Sequence, residues 1–331
     1  IAETADEVEQ GTDVGLFRLP VDRVFTMKGF GTVVTGTLIS GKVETGEEIE
    51  ILPAGIRTRV MGIQVHNQSV ETAETGQRTA VNLQGIDRYS IERGNVLTRP
   101  GVLVGSQRLD CIYRHLSANG HRLKSRALVR LHAGTSEIMA RIILLDRDEL
   151  EPGAECCCQL VLEALLTAVA GDRFVIRSYS PVTTIGGGLI IDPLPAKHKR
   201  PSASILSEFR KLADGTHEEK ATVILDRAGI AGITEKHLVI RTGIRSRDLH
   251  RCLEGMFSAK TALLVDRDEM RVLSYTVYQA FQERILQELR EYHAGNPLKD
   301  GLSREELRTT LDRGGVISQK IFAMSLRELE K

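Results

Sequence analysis

The chain has 331 residues, 44 of them basic and 44 acidic, so it carries no net charge and no global field that would draw in nucleic acid. Any contact with RNA has to come from local patches. No apolar run approaches the roughly 20 residues that cross a bilayer, and the length allows two to four domains.

The chain opens with Ile, and residues 1–14 are mostly acidic and polar. They resemble neither a signal peptide nor a transit peptide and read as a linker left by cutting into a longer protein. The segment Leu19–Gly41, LPVDRVFTMKGFGTVVTGTLISG, predicts a β-hairpin. Its Val33, Val34, Thr35 and Thr37 favour a pleated surface, and Gly29, Gly31, Gly36 and Gly41 stand where turns or bulges need a permissive backbone. Short alternating runs follow, including Ile49–Leu52, Arg57–Met61, Thr79–Leu83, Ala127–Leu131 and Arg173–Arg177. Gly, Pro, Asn or Asp separates most of them, at the spacing of a sandwich or barrel. A break near Arg99-Pro100-Gly101 divides the β region into 15–99 and 100–196, and Val182–Pro193 closes the second part as a glycine-bearing strand.

After Pro195 the texture changes. Lys197-His198-Lys199-Arg200 is a basic connector, and helical periodicity takes over with Ile205, Leu206 and Phe209 on one face, then Val223, Ile224 and Leu225. Thr234–Arg241 and Ser246–Met256 predict a helix–turn–helix pair. Ala262–Val265 and Met270–Leu273, split by an Asp266-Arg267-Asp268 turn, predict a β-wing. Together these make a winged-helix module over 197–274. A second module starts at Tyr275: Val277, Phe281, Ile285 and Leu289 form an apolar stripe, and Ser303 stands three residues before Glu306 at capping-box spacing. Ile317–Leu329 reads as a further helix with no wing after it, so the module over 275–331 is expected to be incomplete.

Several chemistries lack their residues. Neither Gly29-x-Gly31 nor Gly186-Gly187-Gly188 has the spacing of a phosphate loop, and no Gly-x-Ser-x-Gly occurs. His66, His115, His121 and His132 read as barrel-surface residues rather than general bases. The five cysteines are Cys111, Cys252 and the run Cys156-Cys157-Cys158. Alternate strand residues point to opposite faces, so the run cannot offer three sulfurs to one metal. It reads as a buried strand using Cys as a small apolar residue. An odd count without a disulfide framework suits a reducing cytoplasm.

The hairpin, with VDR at its entrance, and the later GQRTAVNLQG resemble domain 2 of the translational GTPases, the barrel that follows the nucleotide-binding domain in elongation factor Tu. The variant is most similar to the selenocysteine-specific elongation factors, and the likeness continues through TIGGGLIIDPLPAKHKR and into the winged-helix extension that other translational GTPases lack. The resemblance implies a fold that is mainly β and then α+β: two translation-factor β-barrels followed by winged-helix modules. On this reading residues 1–14 are a linker from a missing GTPase domain, 15–99 are domain 2 and 100–196 are domain 3. The chain itself is not expected to be an enzyme or to hold a cofactor, since GTP and Mg2+ go with the missing domain. The implied partners are selenocysteinyl-tRNA, the ribosome and, through winged helices beyond this chain, the selenocysteine-insertion mRNA hairpin. No membrane is implied, and the expected location is the cytoplasm.

The resemblance also implies a site. Positions corresponding to Asp22, Arg23 and Arg78 line the family's aminoacyl pocket, and both flanking motifs, LPVDRVF and TGQRTAVNL, are intact here. A selenol is markedly more acidic than a thiol, so selenocysteine is an anion at neutral pH, whereas Cys, with a pKa of about 8.5, is largely neutral and Ser wholly so. Two permanently charged guanidinium groups make a filter for that anion, and a neutral side chain leaves them unpaired. Asp22 would balance this charge, orient the arginines or accept from the esterified amino group. His66 is a further candidate beside Arg78. Lys28, Arg122, Lys124 and Arg126 are candidate tRNA contacts, the last three in a loop that reads equally as solvated charge. Arg241, Arg245, Arg247 and Arg251 could face RNA phosphates, or the first winged helix could act as a spacer. The alternatives are a non-catalytic β-barrel and winged-helix interaction module, or a generic tRNA-binding remnant with no preference for an anion.

Overall fold

A computed structural model of the chain describes residues 13–27, 31–198, 203–299, 301–312 and 314–330. Most of the expected linker 1–14 lies outside them. The described chain is mainly β and then α+β, and it clusters into two compact units. The first comprises the described residues up to Gly215 together with Val239–Ser246; the second comprises Thr216–Leu238 and the described residues from Arg247 onward.

The first unit opens with β1 (Leu19–Pro20), β2 (Arg23–Met27), β3 (Gly31–Thr37), β4 (Lys42–Glu44), β5 (Glu48–Leu52), β6 (Ile56–Val65), β7 (Gln68–Val70), β8 (Thr72–Glu74), β9 (Arg78–Leu83) and β10 (Val96–Thr98). Eight of these form one antiparallel sheet, ordered β1-β10-β5-β6-β9-β3-β2 with β7 on β6. The order follows from alternation: Val34, Val81 and Ile63 stand opposite one another on β3, β9 and β6 and are all buried. Their neighbours face outward, so a one-residue slip would expose the whole apolar set.

A closed barrel follows, built from β11 (Ser106–His115), β13 (Ala127–Ala133), β14 (Ser136–Leu144), β16 (Glu155–Leu166), β17 (Arg173–Ser178) and β18 (Thr184–Asp192). A side ribbon pairs β12 (Leu123–Lys124) with β15 (Glu149–Leu150). Cys111 pairs with Cys158 across β11 and β16, and Cys156 and Cys158 point into the core while Cys157 is half-buried. Burial pushes the Cys111 and Cys158 thiols above their ordinary range. The triple glycine of β18 is a packing requirement: a Cβ at Gly188 would lie 1.9 Å from the Ile112 carbonyl oxygen. His115 differs from its expectation as a surface residue. It is buried, with Nε2 donating to the His121 carbonyl at 2.9 Å and Nδ1 3.0 Å from the Tyr113 hydroxyl.

The two sheets are joined by an ion pair that the sequence does not announce. Arg18, almost fully buried, donates from both terminal nitrogens to the Asp172 carboxylate. Helix α1 (Ala203–Asp214), expected to open the first winged module, instead packs on β11 and β18.

The second unit contains α2 (His217–Ala228), β19 (Ile233–Thr234), the start of α3 (Glu235–Thr242), most of α4 (Ser246–Ser258), the wing strands β20 (Ala262–Asp266) and β21 (Arg271–Ser274), and then α5 (Tyr275–Gly295), α6 (Arg304–Leu311) and α7 (Gln319–Leu329). The strands form one sheet ordered β19-β21-β20. Tyr278, Phe281 and Ile285 recur at helical spacing on α5 and bury against Leu307, Leu311, Ile321, Phe322 and Leu273. Capping boxes at Thr216–Glu219 and Ser303–Glu306 start α2 and α6. Among the described residues no helix is long and apolar enough to cross a membrane.

Candidate functional site

Asp22 and Arg23 stand at the corner between β1 and β2, where buried Val21 anchors the chain. The Val21 N–H donates to the Asn95 carbonyl at 2.8 Å, and the Asp22 N–H donates to the Thr35 carbonyl at 2.7 Å. Gly36 makes this approach possible, because a Cβ there would lie 2.1 Å from the Pro20 carbonyl oxygen. With the backbone fixed, the Asp22 side chain meets Arg78, the first residue of β9. Arg78 Nη2 donates to Asp22 Oδ2 at 2.6 Å, while half of the Arg78 side chain stays in water. The hydrogen bond from Arg78 is the main reason the Asp22 carboxyl is held below the usual aspartate range. Partial desolvation opposes this, and the charges of Arg78, Arg93 and Arg23 add to it.

Arg23 is exposed and stands opposite Thr35; Thr35 stands opposite Ala80, and Ala80 opposite Gln64. This row crosses four strands on the outer face, since Val24, Val34, Val81 and Ile63 make up the neighbouring inward row. Arg78 is two residues from Ala80 along β9. His66 and Asn67, with φ of 52° and 64°, form the tip between β6 and β7. The β6–β9 ladder ends at Val65↔Thr79, so His66 and Arg78 flank the same end of the sheet.

A cavity of about 300 Å3 lies on this outer face, lined by Met27, Val33, Met61, Gln64, Ala80 and Asn82 among others. Ala80 and Gln64 belong to the Arg23 row, so two of the cavity's lining residues share a row with the charged corner. Asn82 Oδ1 and Thr35 Oγ1 are buried without a hydrogen-bond partner. An orphan acceptor at a cavity wall is a group that a ligand donor can satisfy.

The other candidates are distributed differently. Lys28 lies outside the described residues. Arg122 pairs with Glu151 at 2.7 Å and Glu149 at 3.5 Å, and Lys124 lies 3.7 Å from Glu149. The β12–β15 ribbon therefore balances the basic loop with acids from its own partner strand. Arg126 sits at the adjoining turn with φ 70°. Arg241 is corrected outright as a phosphate contact: it forms a bidentate pair with fully buried Asp192, at 3.0 and 2.6 Å, and its side chain is 11% exposed. Arg245 and Arg247 are exposed, and Arg251 lies 3.9 Å from Asp248. Arg93 was not among the residues the sequence singled out, yet its Nε is 3.9 Å from Asp22 Oδ1. Its Glu-Arg-Gly-Asn context marks a turn, but nothing in linear spacing says the turn closes on Val21 and Asp22. Among the described residues no group of three or more His, Cys, Asp or Glu is placed to hold a metal.

Three family models match in series: "Elongation factor Tu domain 2" over residues 31–98, "Selenocysteine-specific elongation factor, beta-barrel domain" over 110–197, and "Elongation factor SelB, winged helix" over 286–331. The selenocysteine-specific elongation factor of Desulfomicrobium baculatum is 43% identical over 314 residues, covering 95% of this chain and 49% of that protein. The chain belongs to the selenocysteine-specific elongation factor family. A more distant relative of the same name, from Methanocaldococcus jannaschii, is 28% identical over 80% of the chain and 59% of its own length. The Escherichia coli relative is 27% identical over 88% of the chain and 44% of its own length. The crystal structure of a bacterial selenocysteine-specific elongation factor, EF-Sec, shares the fold with a TM-score of 0.77 at 19% identity, over 99% of this chain and 50% of that one. The chain thus spans about half the length of the D. baculatum family member.

Proposed function

We propose that the protein containing this chain acts in the cytoplasm, carrying selenocysteinyl-tRNA to the ribosome at recoded UGA codons, and that the Asp22–Arg23–Arg78 corner receives the aminoacyl group. The observation that carries this is the hydrogen-bonded Asp22–Arg78 pair standing beside Arg23, whose row across the sheet includes the cavity-lining Ala80 and Gln64. A selenolate entering the corner meets guanidinium groups that cannot lose their protons. Asp22 is held ionised, and by fixing one end of Arg78 it limits the reorganisation needed when the anion arrives. The ester links the amino acid to the terminal adenosine of the tRNA. The cavity next to the corner supplies apolar walls from Met27, Val33 and Ala80 for an unstacked base, and Asn82 Oδ1 as an acceptor. GTP and Mg2+ would be held by a domain outside these residues, and recognition of the mRNA hairpin would fall to other winged helices.

A second reading, in which Asp22 and Arg78 merely fasten the corner, draws on the same short hydrogen bond. Equilibrium binding separates the two. Selenocysteinyl-tRNA and seryl-tRNA are compared at one salt concentration, using the GTP-bound protein that contains this chain. The wild type should prefer selenocysteinyl-tRNA, and Arg78→Ala should lose that preference while still binding tRNA. A preference unchanged by Arg78→Ala would leave only the fastening role.

A further inference from the structure

We propose that Arg93 is a specificity-determining residue of the aminoacyl site, the third guanidinium that keeps the corner cationic once Asp22 is paired with Arg78. The inference rests on the reading that this corner receives a selenolate.

The turn that carries Arg93 is held from three directions. Internally, the Glu92 N–H donates to Asn95 Oδ1 at 3.0 Å and the Asn95 N–H to the Glu92 carbonyl at 3.2 Å. Toward the site, the Gly94 N–H donates to the Val21 carbonyl at 3.0 Å, and the Val21 N–H donates to the Asn95 carbonyl at 2.8 Å. From the closed barrel, Ser136 Oγ donates to the Gly94 carbonyl at 2.8 Å. The backbone of Arg93 is therefore fixed beside Asp22.

That side chain is 71% exposed, with Nε 3.9 Å from Asp22 Oδ1. Arg78 uses the other oxygen, Oδ2, at 2.6 Å. The Arg93 separation exceeds hydrogen-bond distance, so its donors stay available to an incoming anion. Arg23, Arg78 and Arg93 against one aspartate leave two positive charges at the corner; without Arg93 only one remains. The charge of Arg93 is also felt at Asp22, where it helps hold the carboxyl ionised. At such exposure a single charge contributes modestly and is screened by salt.

The test compares affinities for selenocysteinyl-tRNA and seryl-tRNA in the GTP-bound protein that contains this chain, as wild type, Arg93→Gln, Arg93→Lys and Arg78→Ala. Arg93→Gln should lower the preference for selenocysteinyl-tRNA about two- to fivefold, an exposed-charge effect, and Arg93→Lys should keep most of it. The Arg93→Gln effect should shrink as salt rises. If Arg93→Gln keeps the full preference while Arg78→Ala loses it, the role of Arg93 is overturned and the reading of the corner stands. If both keep it, the reading itself fails and this inference with it. Equal weakening of both tRNAs by Arg93→Gln, or Arg93→Lys behaving like Arg93→Gln, would also overturn the proposal.

Discussion

Arg78 does two things at once: it donates to Asp22 and leaves half its side chain in water. The first predicts a titration. Because the folded-state pKa of Asp22 is lowered, the stability its ionised form contributes is present above the unfolded aspartate value and is lost as pH falls through the lower folded value. Carboxyl NMR should place the Asp22 midpoint below that of an ordinary aspartate, and Arg78→Ala should move it upward. An Asp22 midpoint indifferent to Arg78→Ala would mean the two do not pair in solution. Asp22, Arg23 and Arg78 were singled out as candidates because each stands inside a recognisable motif. Arg93 was not, because its place depends on a turn folding back onto a distant strand. The sequence left Arg241 open as a phosphate contact for a related reason. Helical periodicity assigns a residue to a face, but it does not say that Asp192 from a barrel strand covers that face.

The strands and helices were more legible than their partners. The helix–turn–helix pair and the wing were expected within a few residues of their observed bounds, since apolar periodicity and the Asp266–Asp268 turn are local signals. That α1 packs on β11 and β18 is not a local property, and its apolar face reads the same whatever covers it. The spacing of the Gly186–Gly188 cluster gave no sign of how closely β18 approaches β11. Two substitutions separate a glycine that packing requires from one that it does not. Gly188→Ala drives a Cβ into the Ile112 carbonyl oxygen and should cost about 3 kcal/mol or more in denaturant unfolding. Gly255→Ala, inside α4 with open space around the new Cβ, should stabilise its unit by up to about 1 kcal/mol. Equal effects of the two would contradict this account of β18.

Taken whole, the chain has balanced charge, so selectivity for an anionic ligand cannot come from its overall field. On the proposed reading it comes from one face of the first sheet, where three arginines stand near one aspartate. The buried Arg18–Asp172 pair and the Ser136–Gly94 hydrogen bond tie the closed barrel to that sheet, so the barrel supports the site without supplying its charge. The central claim is that the corner reads charge rather than size, and cysteinyl-tRNA tests it most directly. Its thiol goes from about 3% ionised at pH 7 to about 75% at pH 9 for a pKa near 8.5. Seryl-tRNA shares the α-amino group and has no ionising side chain, so it cancels every other pH effect. Binding of both tRNAs to the GTP-bound protein containing this chain should be measured between these two pH values. The affinity for cysteinyl-tRNA relative to seryl-tRNA should rise by about tenfold or more across this range, following thiolate formation. A ratio that stays flat would contradict the anion filter.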